Sequence, residues 1–576
     1  MRRLLLTFGL SLAVTGFSLA QQPDTLGYAY PVVGVSGLCS ANFGEMRPGH
    51  FHGGVDIKTD GAEGKPLVAV ADGYISRIAV SAYGYGRALY LTLSDGTTAV
   101  YGHLQRYRSD LEEEVRTERY RLRSNALDLS FGPERWPVRR GEVIGFSGNS
   151  GASMGPHLHF ELREAGTGRL RNVVREGIIR PKDDLPPRIV RLHYVEVDTV
   201  QGVCLRSAPE SYAVVRTAEG HYRLTREEPL PVGRRGYFVA EVTDRRNDVH
   251  NTFGVWRVRV SLDGEPRFEY RMDGFTHALS RCCDAVSCYP LQLASRNEAI
   301  RLAQLAGAPD AFYPLMRERG LIRTEAGERR RIRIEAEDDS GNLSALEFDI
   351  AGREGAFRAQ ADTTAVVLRP DRESDVALGC LVTAHIPAGA LYESLFCRPE
   401  SIPAPRADSG LVVLSPAVRI LDATTPLRTP ATVSVRADVP RDLRLRAALA
   451  SWNPAKGLRY VGGSFDGEAV TARTRTTGWL VAVADTLPPV IRPRFAEGAD
   501  LTRAAELRFR VADNFAGIVA WTLHIDGRWV PCDRYPMQST LSHRFDTPPA
   551  RSRHTATLTA TDAAGNTARW QGTFYR

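Results

Sequence analysis

Short segments in which apolar and polar residues alternate, separated by glycine turns, are the dominant pattern of this 576-residue chain. In the first third of the chain they are residues 66–71, 74–79, 87–93, 98–103, 143–147 and 158–163. Side chains of a strand point alternately to its two faces, so alternation indicates strands with one buried face. Many short strands with turn signals between them indicate an antiparallel architecture. The pattern therefore predicts a mainly β chain.

Two sequence repeats divide the rest of the chain. The motif D-x-L-P-P occurs at residues 183–187 and 485–489, and each copy precedes a segment with the strand pattern. Paired prolines cannot continue a helix or a central strand, so both copies indicate linkers that lead into a domain. The motif A-x-D-x-x-G-N, at residues 336–342 and 560–566, is typical of a tight turn between two strands. Each pair of repeats thus brackets a segment of β-sandwich type.

Length and composition agree with several folded domains. A chain of this length has room for roughly four domains of ordinary size, and a hydrophobic content of 43% is ample for their cores. Residues 385–392 resemble a turn of the ZU5-like domains. The predicted segments are a signal peptide at 1–20, a first domain at 21–182, an Ig-like β-sandwich with a helical insert (291–319) at 183–353, a further β domain with the ZU5-like turn at 354–484, and a second Ig-like β-sandwich at 485–576.

A charged segment interrupts the first domain. Residues 111–123 contain helix-forming residues and few helix breakers. Long excursions of this kind are only sometimes functional. Two interpretations stay open: the segment is a lid or rim of a groove, or it is a plain surface excursion.

The start of the chain predicts export. Arg2 and Arg3 precede a mostly apolar run at residues 4–14, and small residues stand at the end of the segment, before Gln21. These are the parts of a secretory signal peptide, so we expect the mature chain to begin near Gln21. No later segment is apolar for long enough to cross a bilayer. We therefore expect a protein of the periplasm, cell envelope or extracellular space, without a membrane span after the signal is removed.

Net charge and cysteine content limit which binding partners and which cysteine sites are expected. The net charge of +7 is modest for this length, and no concentrated basic patch indicates nucleic-acid binding. Eight cysteines in an exported protein are compatible with disulfides, for example between Cys380 and Cys397. The group at residues 282–288 lacks a second half with zinc spacing, so disulfides or buried thiols are favoured there over a metal knuckle.

Histidines gather in three short motifs within the first 160 residues. Five of the 13 histidines stand there, in H-F-H-G-G-V-D (residues 50–56), Y-G-H-L around His103, and G-P-H-L-H-F-E with His157 and His159. Histidine and aspartate are good zinc ligands, and histidine is the usual proton carrier near neutral pH. The clustering therefore indicates a metal-dependent hydrolase.

Spacing suggests how these groups meet. Two glycines between His52 and Asp56 make a helix improbable and allow a turn that brings both side chains to one ion. On a strand, His157 and His159 lie on the same face. Catalytic zinc needs three protein ligands and an open position for water. His52, Asp56 and one of the final pair satisfy this count, which leaves His103 and the other for proton transfer.

Together the three motifs resemble the lysostaphin/LytM-type zinc metallopeptidases, which cleave peptide bonds in peptidoglycan. The resemblance spans about residues 43–164 and includes V-A-x-A-D-G-Y-I (68–75) and G-E-V-I-G-F-S-G-N-S-G (141–151). It implies a small antiparallel β-sheet groove domain. It also implies that zinc is bound by His52, Asp56 and His159, and that His103 and His157 are catalytic. His50 lies outside the matched positions and is expected in the groove wall.

The sequence therefore predicts an exported zinc endopeptidase that hydrolyses peptidoglycan stems or crosslinks. The β-sandwich domains would position it at the wall or at an envelope partner. Two alternatives stay open at this stage: a catalytically idle regulator of a cell-wall amidase, and an adhesive or structural envelope protein in which the β-sandwich domains are the functional part.

Overall fold

The computed structural model describes residues 27–295, 297–355, 357–407, 409–546 and 551–576. The predicted signal peptide and the predicted mature terminus at Gln21 lie outside these residues. Within them, strands are far more numerous than helices, so the expectation of a mainly β chain is confirmed. No helix among the described residues is both long and apolar enough to span a membrane.

The first part of the chain forms one large antiparallel sheet, two smaller sheets of three and two strands, and one helix. In the large sheet, strand His157–Arg163 lies between Val55–Lys58 and Thr98–Gly102. Its apolar side chains Leu158 and Phe160 join a core that the other strands complete. The elements are strands Cys39–Ala41, Met46–Arg47, His50–Phe51, Val55–Lys58, Pro66–Val68, Gly73–Val80, Arg87–Leu93, Thr98–Gly102, Arg106–Tyr107, Leu127–Ser130, Pro137–Val138, Val143–Phe146, His157–Arg163 and Leu170–Arg171, and helix Ser109–Leu122.

The charged segment of the first domain is this helix. Acidic residues stand in its first turn and basic residues in its last, an arrangement that suits the helix dipole. It buries Leu111 and Val115 in the core. Its Arg119 donates to Asp533 Oδ1 at 2.7 Å, in the last part of the chain. The segment is thus a docking surface for residues near the C-terminus.

Residues 188–352 form a second core with its own strands. Hydrogen bonds connect 13 of these strands into one branched sheet, whereas Gly274–Phe275 pairs with Leu170–Arg171 of the first sheet. Short helices lie within or at the ends of the expected insert at 291–319. The elements are strands Arg188–Val200, Val203–Arg206, Glu210–Ala218, His221–Leu224, Leu230–Val232, Arg235–Thr243, Arg257–Leu262, Glu265–Arg271, Gly274–Phe275, Glu298–Arg301, Leu315–Met316, Ile322–Arg323, Arg329–Glu337 and Leu343–Gly352, α-helices Cys283–Val286 and Tyr289–Ala294, and 3₁₀ helices His277–Cys282, Asp310–Phe312 and Glu318–Gly320.

The third core lies between a five-stranded and a six-stranded sheet. The free thiol of Cys397 is buried there and contacts Ile420 O at 3.2 Å, whereas Cys380 is exposed and free. The suggested disulfide between them is therefore not formed. The elements are strands Val366–Leu368, Ser374–Leu378, Val382–Ile386, Leu395–Cys397, Glu400–Ile402, Leu411–Val413, Ala417–Arg419, Ala431–Arg436, Ala447–Asn453, Gly457–Gly462, Ser464–Phe465, Ala469–Thr474 and Trp479–Asp485, and 3₁₀ helix Arg441–Arg446.

The last core is shared by a four-stranded and a five-stranded sheet, as in a β-sandwich. This part of the chain contacts the first sheet directly. Tyr83 Oη donates to Ile518 O at 2.9 Å, and Gln538 Nε2 donates to Ser153 O at 3.3 Å. The elements are strands Val490–Pro493, Ala499–Asp500, Glu506–Ala512, Ile518–Ile525, Arg528–Val530, Asp533–Tyr535, Thr540–Arg544, Arg553–Asp562 and Thr567–Tyr575, and 3₁₀ helix Pro536–Gln538.

Candidate metal centre and catalytic site

Strand register brings Asp56 and His159 together. The two residues are direct partners across the antiparallel pair of Val55–Lys58 and His157–Arg163. Side chains of such partners point to the same face of a sheet. The close approach needs Gly54, because a Cβ there would lie 2.3 Å from Phe160 O. This explains the glycine that precedes the strand.

His52, Asp56 and His159 offer three ligand atoms to one point. Asp56 Oδ1 lies 3.1 Å from His52 Nε2 and 2.8 Å from His159 Nδ1. The two nitrogens are 3.0 Å apart. All three residues are buried. These are the three residues that the sequence motifs predicted as metal ligands.

In His52 and His159, the ring nitrogen that faces away from Asp56 already makes a hydrogen bond. His52 Nδ1 donates to Asn42 O at 2.8 Å, and His159 Nε2 donates to Glu161 Oε1 at 2.8 Å. In the neutral form, each ring therefore turns a lone pair toward Asp56 Oδ1. Three lone pairs that face one another repel, and a proton or a cation between them removes the repulsion.

This donor set fits zinc. Ligand atoms of a tetrahedral zinc with bonds of about 2.0–2.1 Å lie about 3.3 Å apart, close to the separations found here. Two imidazoles and a carboxylate are typical ligands of catalytic zinc, which keeps a fourth position open. A buried partner that fixes the orientation of a ligating imidazole, as Glu161 does for His159, is also usual at such sites.

The electrostatics of these three side chains are consistent with a place for a cation. Burial raises the pKa of Asp56, but the adjacent His52 and hydrogen bonds from His157 and His159 outweigh it, so this pKa lies well below its ordinary value. Burial lowers the pKa of His159, but hydrogen bonds to Asp56 and Glu161 raise it to about 9. A proton on His159 thus occupies the place that a metal ion would take.

His103 and His157 lie beside the three ligand atoms. Their ring centroids are 4.7 Å apart, and His157 Nε2 is 3.5 Å from Asp56 Oδ1. The Nδ1 of His103 donates to Ser150 O and that of His157 to Gly155 O, each at 2.8 Å. Each ring therefore has its Nε2 unprotonated when it is neutral. Burial and the neighbouring His157 and His159 lower the pKa of His103 to about 3.

The backbone of His103 is held in an uncommon conformation. Its φ is +63°, in the left-handed region that residues other than glycine rarely adopt. Its N–H donates to Tyr85 O at 2.8 Å, directly after strand Thr98–Gly102. Such outliers persist where the surrounding structure fixes them, and they gather at functional sites.

All five predicted site residues are thus brought together, and His50 is not part of the group. His50 is exposed, and its Nδ1 contacts Pro48 O at 3.3 Å. Sequence analysis did not assign a role to Glu161, which is two residues after His159 on the same strand face. Its other oxygen accepts from Arg163, and Tyr85 Oη donates to Glu161 Oε1 at 2.5 Å. The alternation of the strand could have identified it.

Known proteins similar to this chain include metallopeptidases. An uncharacterized metalloprotease of Haemophilus influenzae is 32% identical over 161 residues, which are 26% of this chain and 28% of the relative. The DD-carboxypeptidase/endopeptidase Mpg of Neisseria meningitidis is 33% identical over 113 residues, 20% of each protein. The matched region therefore spans less than a third of the length of either relative. No family model matches the sequence.

Two solved structures are also similar to part of the chain. The catalytic domain of the prophage-encoded M23 protein EnpA from Enterococcus faecalis, in a mutant form, is 26% identical, with 23% of this chain and 87% of that chain covered and a TM-score of 0.18. The catalytic domain of lysostaphin from Staphylococcus simulans is 25% identical, with 23% and 85% covered and a TM-score of 0.17.

Proposed function

We propose that this chain is an exported zinc metallopeptidase that hydrolyses peptide bonds in peptidoglycan stems or crosslinks. The observation that carries the proposal is the convergence of His52, Asp56 and His159 on one point, with His103 and His157 beside it. The similarity to proteins named as metallopeptidases supports the same class of reaction.

In this proposal His52, Asp56 and His159 hold the zinc. When bound, zinc polarises a carbonyl oxygen and lowers the pKa of a water molecule to about 7. Glu161 and the Asn42 carbonyl keep the two imidazoles oriented toward the ion. Arg47 donates to Asp56 Oδ2 at 3.0 Å, which leaves Oδ1 as the ligand atom.

His103 and His157 act on protons and developing charge. Each has an unprotonated Nε2 because its Nδ1 donates to a backbone carbonyl. One Nε2 accepts the proton of the attacking water and returns it to the leaving amine, while the other ring stabilises the oxyanion in the form in which its Nε2 carries a proton. The low pKa of His103 keeps this ring neutral, and so able to accept a proton, near pH 7.

Peptidoglycan is the proposed substrate for two reasons. The Neisseria relative is named as a DD-carboxypeptidase/endopeptidase, an activity on D-amino-acid peptides. The predicted signal peptide would deliver this chain to the compartment where the wall lies. Neither reason identifies the bond, because specificity depends on the loops around the groove.

The test is digestion of purified peptidoglycan by residues 21–576 loaded with zinc, with released fragments identified by mass spectrometry. We expect fragments that differ by cleavage of one kind of peptide bond. Removal of zinc by a chelator abolishes the cleavage, and added zinc restores it. His103→Ala abolishes it, whereas His50→Ala, a change at an exposed histidine outside the group, does not.

Two results would overturn the proposal. A folded, zinc-loaded protein that releases no fragment favours the regulator alternative instead. Cleavage that survives both zinc removal and His103→Ala shows that another site is responsible.

A further inference from the structure

Two buried groups of aspartates occupy equivalent positions in the second and the last cores. In each group, one carboxylate oxygen from each residue lies within 4.8 Å of the others. The first aspartate comes from the D-x-L-P-P linker, the second directly follows or ends a strand, and the third comes from A-x-D-x-x-G-N. The first group is Asp183, Asp244 and Asp338, and the second group is Asp485, Asp513 and Asp562.

The same hydrogen bonds orient the linker aspartate in both groups. Asp183 Oδ1 accepts from the Leu185 N–H at 3.2 Å, and Asp485 Oδ1 accepts from the Leu487 N–H at 3.1 Å. In each case this bond leaves Oδ2 turned toward the other carboxylates. The arrangement is therefore repeated in detail and is not a chance cluster of acidic residues.

The asparagine of the A-x-D-x-x-G-N motif closes each group. Asn342 Nδ2 donates to Asp338 Oδ2 at 2.9 Å and to Asp183 O at 3.4 Å. Asn566 Nδ2 donates to Asp562 Oδ2 at 2.9 Å and to the carbonyl of Asp485 at 3.1 Å. Each asparagine thus ties the linker to the last turn of its own domain.

Several oxygens in these groups are buried without a hydrogen-bond partner among the described residues. In the first group they are Asp183 Oδ2 and both oxygens of Asp244, whose residue is 0% exposed. In the second group they are Asp485 Oδ2, Asp513 Oδ1 and Asn566 Oδ1. Buried polar atoms are nearly always paired, so unpaired atoms that point at one another indicate a missing partner.

Charge leads to the same conclusion. Asp485, Asp513 and Asp562 make no ion pair with any residue that the structure describes, although Asp485 and Asp562 are each 1% exposed. Burying an unpaired carboxylate is costly, and three together repel one another. Burial and the neighbouring aspartates raise the pKa of Asp244 well above its ordinary value and that of Asp338 to about 7.

We propose that each group binds one calcium ion. All the available donors are oxygens of carboxylates and amides, which hard cations prefer, whereas zinc sites usually include histidine nitrogen or cysteine sulfur. Ca²⁺ accepts six to eight oxygens in flexible geometry, whereas Mg²⁺ keeps several waters in a strict octahedron. A buried group on irregular turns, with carboxylate oxygens from three side chains, suits Ca²⁺ better. Each ion would fix a linker to the domain that follows it.

The first site has an additional neighbour. Arg246 Nε lies 3.6 Å from Asp183 Oδ2, and its Nη2 is bound by Asp339. This guanidinium competes with a cation for the carboxylate of Asp183. We therefore expect the second site to bind Ca²⁺ more tightly than the first.

The experiment is a calorimetric titration of CaCl₂ into residues 21–576 that have been freed of calcium and loaded with zinc. We expect two Ca²⁺ per chain, one in Asp244→Asn, one in Asp513→Asn, and none in the double variant. Asp248→Asn and Asp526→Asn, changes at exposed aspartates outside the two groups, should still bind two. The melting temperature of the wild-type chain should rise by about 5 °C or more with CaCl₂, and by less with MgCl₂.

The variants have a second expected signature. Without calcium, asparagine relieves the repulsion, so each variant should melt at or above the wild-type temperature; with calcium it should melt below it. A folded wild-type chain that binds no Ca²⁺, or variants that still bind two, would overturn the proposal. If a variant does not fold, the stoichiometry and melting shift of the wild-type chain alone decide.

Discussion

Asp56 and Asp244 are both almost completely buried aspartates, yet their surroundings are opposite. Asp56 is 6% exposed and lies against His52, His159 and Arg47, which can each donate to it or neutralise it. Asp244 is 0% exposed and faces Asp183 and Asp338, and its carboxylate has no hydrogen-bond partner in the part of the chain that the structure describes. The pKa of Asp56 is accordingly held low, and that of Asp244 is raised.

The difference shows two ways to build a metal site. Around Asp56, the protein supplies its own protons and positive charge, so the site is stable when metal-free and zinc replaces a proton on His159. Around Asp244, oxygen atoms face oxygen atoms. Arg246 offsets part of the repulsion at Asp183, and a proton or a cation from solution removes the rest. The first arrangement suits reversible chemistry at an open ligand position, and the second suits a structural ion.

The variant with the largest expected effect, His159→Ala, distinguishes the proposed zinc site from the proposed calcium sites. His159→Ala removes a ligand atom and leaves Asp56 with fewer donors, so we expect the zinc content to fall from one per chain to none. Peptidoglycan cleavage should fall about 10³-fold or more, because the Lewis acid contributes several kcal/mol to the barrier. Metal analysis after dialysis, together with fragment release, measures both.

The number of Ca²⁺ ions bound per chain is the internal control for His159→Ala. Because His159 is remote in sequence and chemistry from both aspartate groups, His159→Ala should still bind two Ca²⁺ per chain. A variant that keeps its zinc would show that His159 is not a ligand, and one that loses both metals would show that the change has unfolded the chain.

A smaller effect distinguishes the ligands from the proton carriers. His103→Ala leaves all three ligand atoms in place, so zinc content should stay at one per chain. We expect kcat on a crosslinked muropeptide to fall about 10²- to 10⁴-fold, the usual contribution of general acid–base catalysis, with KM little changed. The matched control is His50→Ala. A fall in kcat of less than tenfold would remove His103 from the proposed mechanism.

Glu161→Gln tests the support behind the zinc ligands. Glutamine keeps the size of the side chain but weakens the bond that orients His159, so we expect zinc affinity to fall about 10- to 100-fold. Competition with a chromophoric chelator measures this affinity. Glu164→Gln, at an exposed glutamate on the same hairpin, should leave it unchanged. An equal loss in both variants would indicate a general charge effect instead of orientation of His159.

Sequence patterns predicted the site better than its surroundings. Short motifs and the resemblance that they carry predicted His52, Asp56 and His159 as zinc ligands, and the structure brings these three side chains together. Strand alternation predicted His157 and His159 on one face. The hydrogen bonds that Asn42 O and Ser150 O accept from His52 and His103 could not be predicted from the sequence, because any residue provides a backbone carbonyl. The mainly β fold followed from alternation and turn residues, which are local signals.

Long-range contacts could not be predicted in the same way. The repeated motifs drew attention to Asp183 and Asp338 as parts of a linker and a turn, but Asp244 carries no signal beyond its place at a strand end. Only the packed structure brings the three together. The contact of helix Ser109–Leu122 with Asp533 likewise joins residues about 400 positions apart in the chain, for which no local pattern exists.

The smallest expected effect is on pH-dependent stability, and it has opposite signs at the two aspartates. In calcium-free protein, the raised pKa of Asp244 means that the folded state keeps its proton after the unfolded chain, with its ordinary pKa of 3.8, has lost it. Asp244 therefore lowers the free energy of unfolding as pH rises above about 4, whereas Asp56, with its lowered pKa, contributes stability above that pH and loses it on acidification.

Asp244→Asn removes the destabilising effect of Asp244. We expect the variant to exceed the calcium-free wild type by about 1–2 kcal/mol at pH 8, the usual cost of an unsatisfied buried group, and to match it near pH 3.5. Urea unfolding at both pH values, with Asp248→Asn as the control, measures this difference. A variant that is less stable than the wild type at pH 8 without calcium would mean that the carboxylates of the first group do not repel one another, and the contrast with Asp56 would then fail.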